Sequence, residues 1–158
     1  MNATALLHLP HHVQHQSTAP LVFCSAYIKD RAPLLANPFA HETLRLLWEQ
    51  AAECNGWWVG DYVLMPDHVH FFARPNRDAD GLNLWMKTWK AISSKTIAQR
   101  HGRPGPVWEP NAQSRFVRIN ETYAAAWMHM DANPVRTGLV EAEDEWPYRG
   151  RIHRLVNA

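Results

Sequence analysis

The sequence predicts an α+β fold, a ferredoxin-like βαββαβ sandwich whose antiparallel sheet carries helices on one face, followed by a C-terminal helix that bears a tyrosine. Three observations predict it. The periodic segments run strand, helix, strand, strand, helix, strand along the chain, the split βαβ order of that architecture. The apolar run Tyr62-Val-Leu-Met-Pro-Asp-His-Val-His-Phe-Phe-Ala73 is broken once by Pro66-Asp67, as a tight antiparallel hairpin requires. At 158 residues and 46% hydrophobic content, the chain suits one domain around one core.

The elements follow in order. Residues 1–19, with His8, His11, His12 and His15, read as an irregular lead-in. Leu21 to Ile28 is apolar and partly β-branched, a first strand, and Pro33 and Pro38 punctuate the loop after it. From His41 to Asn55 the period is helical, with Leu44, Leu47, Ala51 and Cys54 on one stripe and Gly56 at the C-terminal cap. Trp57–Met65 and His68–Arg74 form the hairpin strands. Leu82–His101 is a second helix, with Trp85, Trp89, Ile92 and Thr96 on one face and Lys87 and Lys90 on another, stopped by Gly102-Arg-Pro-Gly-Pro106. Residues 112–119 form a fourth strand. Asn120 caps a third helix that ends near Asn133, where a short helix opens with Pro134 and closes before Gly138. No internal repeat or second domain is visible.

Composition narrows the function. No apolar run approaches the ~20 residues needed to cross a bilayer, and the N-terminus lacks a secretory pattern, so a cytoplasmic location is expected. Two lone cysteines, Cys24 and Cys54, form no disulfide or metal framework. The net charge of +1 conceals a basic middle third: nine lysines and arginines between Arg74 and Arg118 face only Asp78, Asp80 and Glu109. Such a patch on a near-neutral chain suits either a polyanion site or a solvated helix face. Of the eight tryptophans, most are expected in the core and at most two as stacking platforms for unpaired bases.

The chemistry centres on His68 and His70. Residues two apart on a strand share a face, so both imidazoles reach one divalent cation while Val69 turns into the core, leaving positions for substrate. Two core histidines fit the same spacing. Tyr123 lies on the first turn of its helix, where the dipole favours phenolate and phosphate charge, and a tyrosine nucleophile attacking phosphorus conserves bond energy for rejoining. Core packing is the alternative for this tyrosine too.

Several segments together resemble a known family. Tyr-Val-Leu-Met-Pro-Asp-His-Val-His is followed by Gly105-Pro-Val-Trp-Glu109, by Asn-Glu-Thr-Tyr123 and by Asn133-Pro-Val-Arg-Thr-Gly-Leu-Val140, and Leu9-Pro-His11 opens the chain. In order and spacing these resemble the REP-associated tyrosine transposases, relatives of the single-tyrosine insertion-sequence transposases among the His-hydrophobic-His endonucleases. The resemblance implies a metal-dependent enzyme on single-stranded DNA: His68 and His70 holding Mg²⁺ or Mn²⁺ at the scissile phosphate, and Tyr123 forming a 5′-phosphotyrosine link at hairpin-forming repeats. Lys87, Lys90, Lys95, Arg100 and Arg103 are the expected phosphate contacts. A monomer is favoured over a dimer that exchanges tyrosine helices.

The chain departs from the family pattern at three places. Ala112-Gln-Ser-Arg115 stands where the family reads Phe-Phe-Asp-His. Trp127 occupies the position, one helical turn past the tyrosine, at which related transposases carry a polar metal ligand. Asp67 replaces an asparagine and adds a carboxylate beside His68, as an orienting partner or a turn former. A DNA-binding module that keeps the fold without catalysis, or a metal hydrolase of small phosphate esters, would share parts of this pattern.

Overall fold

The structure, a computed structural model, describes residues 20–111, 113–116 and 123–155. Five strands, β1 (Val22–Tyr27), β2 (Trp57–Leu64), β3 (His68–Pro75), β4 (Gln113–Phe116) and β5 (Arg149–Arg151), form one sheet in the order β4-β1-β3-β2-β5. All pairings are antiparallel. The predicted βαββαβ frame is present, with β5 added at the β2 edge. Its three residues, Arg-Gly-Arg, are too short and polar to announce a strand in sequence.

Helices α1 (Pro38–Cys54) and α2 (Leu82–His101) cover one face of the sheet. Their Leu44, Trp48, Trp85, Trp89 and Ile97 pack on Cys24, Ala26, Val59, Leu64, Val69, Phe71 and Ala73. Six of the eight tryptophans (Trp48, Trp57, Trp85, Trp89, Trp108, Trp146) are buried, in keeping with their expected core role. The alternate residues face the other way, where Val63, Met65 and Phe72 meet Ala126 and Met130 of α3 (Tyr123–Asp131). The tyrosine helix therefore lies on the face opposite α1 and α2, the face that also carries His68 and His70. The short α4 (Asn133–Arg136) follows, and Gly138 beyond it takes φ 75°, a left-handed turn suited to glycine.

Local chemistry explains the differences from the sequence reading. Helix α1 begins at Pro38 rather than His41: Asn37 Oδ1 accepts from the Ala40 N–H at 2.9 Å, and proline at the first turn has no donor to lose. Its buried stripe is Ala40, Leu44, Trp48 and Ala51, while Cys54 is exposed. On α2 the inward face includes Ser93 and Ser94, and Ile92 points outward at 49% exposure. The serines are buried because they are satisfied: Trp108 Nε1 donates to Ser93 Oγ at 2.8 Å, and the Val107 N–H donates to Ser94 Oγ at 3.0 Å. The fourth strand is confined, among the described residues, to Gln113–Phe116, and the expected cap at Asn120 lies outside them.

Candidate active site

Strand pairing sets His68 opposite Tyr27 and His70 opposite Ser25. The two imidazoles lie on one face with ring centroids 4.8 Å apart, as their spacing predicts. Each is anchored through Nδ1. Asp67 Oδ1 lies 2.7 Å from His68 Nδ1, and the Oγ of the buried Ser25 lies 2.6 Å from His70 Nδ1. With the ring proton on Nδ1, both Nε2 lone pairs remain for a cation. A carboxylate or hydroxyl behind a ligating histidine is the usual arrangement of a metal site. The pair therefore fits a divalent ion. Among the described residues no cluster of three or more His, Cys, Asp or Glu side chains suits a metal.

Electrostatics favour the neutral ligand form at His70. Burial lowers its pKa to about 4, helped by the charges of His68, His129 and Arg136. Rings extend the site: Tyr27 stacks on His68 at 5.2 Å, and the Arg31 guanidinium lies 4.1 Å from the Tyr27 ring centroid and 3.5 Å from Asp67. Arg31 and its neighbour Asp30 both adopt left-handed backbone, φ 54° and 58°, a costly conformation for residues other than glycine.

Tyr123 joins this face through aromatic contacts. His70 packs on Phe23 at 5.4 Å, Phe23 on Phe72 at 5.2 Å, and Phe72 on the Tyr123 ring at 4.7 Å. The tyrosine hydroxyl ends at an irregularity in β2. Between Val59 and Tyr62 the register shifts, so that Gly60 and Asp61 together oppose Phe72. Such a bulge re-aims side chains. Here the Tyr123 hydroxyl donates to the Asp61 carboxylate and accepts from the Asp61 N–H at 3.2 Å. Arg151 of β5 fixes the same carboxylate, with Nε 2.8 Å from Oδ1 and Nη2 3.3 Å from Oδ2. Burial, then the Asp61 charge and hydrogen bond, push the Tyr123 pKa well above the ordinary tyrosine value. Trp127, one turn on, is half-buried against the same cluster.

The expected phosphate contacts divide. Lys87, Lys90, Lys95 and Arg103 line one groove of about 830 Å³ between α2 and residues 105–110. Arg100 lies apart, over the Phe39 ring. Lys90 is only 8% exposed, and its ammonium donates to the carbonyls of Glu109 and Pro110 at 2.5 and 3.3 Å. Its desolvation lowers its pKa. This lysine supports the groove wall, leaving Lys87, Lys95 and Arg103 as its exposed cations. The wall leads to the histidines: the Glu109 N–H donates to the Tyr27 carbonyl and the Lys29 N–H to the Val107 carbonyl, both at 2.8 Å.

Sequence reasoning named both histidines, Tyr123 and four of the residues that line the groove. It missed Ser25, Asp61, Arg151 and Arg31, which reach the site through strand register, a bulge, an added strand and a strained turn. The acid-Arg alternation of Asp61 and Arg151 gives no sequence signal, because the partners are 90 residues apart.

The family model described as "Transposase IS200 like" matches residues 13–118, a span that contains both histidines and stops short of Tyr123. Among curated proteins, the REP-associated tyrosine transposase of Escherichia coli K12 is 23% identical over 117 residues, covering 73% of this chain and 64% of that protein. The chain thus spans a little under two thirds of that relative's length. A putative REP-associated tyrosine transposase of Haemophilus influenzae is 21% identical over 147 residues, 87% of this chain and 82% of that one. Among solved structures, a REP-associated tyrosine transposase bound to a REP hairpin superposes with a TM-score of 0.63 at 18% identity, covering 90% of this chain and 80% of that one. A putative transposase from Deinococcus radiodurans gives 0.54 at 17% identity, covering 75% and 93%.

Proposed function

The chain belongs to the IS200-like transposase family, and we propose that it cleaves and rejoins single-stranded DNA at hairpin-forming repeats through a 5′-phosphotyrosine intermediate. The observation that carries this reading is the anchored histidine pair sharing one sheet face with Tyr123. His68 and His70 would hold Mg²⁺ or Mn²⁺, which supplies Lewis-acid polarisation of the scissile phosphate. Asp67 and Ser25 orient the two rings. Tyr123 attacks phosphorus, its oxygen replacing the DNA 3′-oxygen, and the reverse step reseals a strand. Lys87, Lys95 and Arg103 neutralise backbone phosphates along a groove whose far wall is joined to the strand end beside His68. The hairpin held by the solved relative supports a folded repeat as the substrate. Among the described residues no helix is long and apolar enough to cross a membrane.

The half-buried Trp127, where a metal ligand would be expected, favours a second reading: a hairpin-binding module without turnover. One experiment separates the two. The protein is mixed with a labelled hairpin oligonucleotide and Mn²⁺ and run on a denaturing gel. A covalent adduct that disappears in Tyr123→Phe and in His68→Ala supports the enzyme, whereas binding without adduct under Mg²⁺ or Mn²⁺ leaves the module.

A further inference from the structure

We propose that Asp61 is the proton acceptor for Tyr123, held in place by Arg151. This role rests on the transesterification proposed above and deepens it. Attack by a phenol requires that its proton go somewhere, and neither histidine is free for that task if both hold a cation. Asp61 meets the geometric requirements of a base: it touches the nucleophile's hydroxyl, and a third group orients it. It is 3% exposed, a carboxylate that would not be buried without such partners. Arg151 binds both of its oxygens, which fixes the plane of the carboxylate.

The bulge at Gly60–Asp61 is what makes this contact. It takes the Asp61 N–H out of the strand ladder and aims it at Tyr123 Oη, so the hydroxyl is gripped as donor and acceptor at once. Room for the grip depends on the missing side chain of Gly60, whose Cβ would lie 3.1 Å from Tyr123 Oη and 2.6 Å from Leu155 Cδ1. The charged groups facing the pair are Arg151 from β5 and Arg74 from β3, whose Nη1 donates to the Leu155 carbonyl at 2.6 Å. Both cations compensate negative charge as the proton moves.

The step balances without a further reactant. The Tyr123 Oη–H proton passes to an Asp61 oxygen as the Oη–P bond forms. The P–O3′ bond breaks, and the departing 3′-oxygen is protonated by solvent. In rejoining, the 3′-hydroxyl attacks and loses its proton to solvent, the Oη–P bond breaks, and Asp61 returns its proton to the tyrosine oxygen. Asp61 thus serves as base in cleavage and acid in resealing.

Asp61→Asn tests the role, because asparagine keeps one oxygen for the hydroxyl while it loses basicity and part of the Arg151 contact. Adduct formation on a labelled hairpin with Mn²⁺ should fall by about 100-fold or more, with hairpin affinity unchanged. The variant's residual rate should climb with pH while the wild-type rate stays flat across neutral pH. Arg151→Gln should give a smaller loss, and Asp61→Glu should recover part of the rate. Adduct formation by Asp61→Asn at the wild-type rate overturns the assignment and leaves the enzyme reading intact. A loss that carries the wild-type pH profile, or that tracks lost folding or hairpin affinity, makes Asp61 structural and overturns it as well. Failure of the wild type to form any adduct overturns the parent reading, and the proton-acceptor role with it.

Discussion

Ser25 and Asp67 act on the histidine pair from behind, through the nitrogens that face away from the open side. Ser25→Ala would leave His70 Nδ1 buried without its hydroxyl, and Asp67→Asn would remove the charge behind His68. Each should weaken Mn²⁺ binding by about 10–100-fold, read by calorimetric titration. Gly60→Ala is the complementary test at Tyr123. Its methyl group cannot fit between Leu155 and Tyr123 Oη without moving one of them, so adduct formation should drop while Mn²⁺ affinity stays the same. At this scale the sequence is legible where chemistry is local. The two-residue spacing put His68 and His70 on one face before any tertiary information entered. Ser25 and Asp61 were invisible because their roles come from which strand lies alongside and in what register, and a one-residue slip would turn either side chain to the other face.

Helix α2 exposes Lys87 and Lys95 and buries Lys90. Lys87→Ala, Lys95→Ala and Arg103→Ala should each weaken single-strand binding uniformly across sequences and reduce the salt slope by about one. Lys90→Met should leave the slope alone and lower the melting temperature, since the carbonyls of Glu109 and Pro110 lose their donor. Fluorescence anisotropy over a salt series, with thermal melts alongside, distinguishes the two outcomes. The helix itself was readable from its period and from its Gly-Pro stop. Its inward face was not fully readable, because Ser93 and Ser94 look polar until Trp108 and Val107 arrive to bond them. Burial of a hydroxyl depends on its partner, and here the partners come from a loop that folds back across 13 to 15 residues.

At the scale of the molecule, the sheet is covered on both sides, with α1 and α2 on one face and α3, beside the histidine pair, on the other. The two meet through β2, whose Tyr62 is buried on the α1 side next to Asp61 on the other. The Tyr62 hydroxyl lies 2.7 Å from His41 Nε2, and burial raises its pKa to about 12. The unfolded chain ionises this tyrosine first, so its contribution is complete below about pH 10 and fades as pH rises toward 12. Melting temperature should therefore fall steeply above pH 10, and less so in Tyr62→Phe, which is the measurement that checks the sign. The frame was legible because hairpin, helix periods and strand order agree with one another. The closing strand was not, since β5 is held by its position beside β2 rather than by any apolar pattern of its own.

That late strand has a consequence for timing. Arg151 and Leu155 reach back to Asp61, Gly60 and Arg74, so the tyrosine's surroundings are completed by residues that follow its helix in the chain. The rest of the sheet can pair earlier, because domains assemble as their chains emerge. A chain that folds from its N-terminal side then sets its histidine pair before Arg151 reaches Asp61 beside Tyr123.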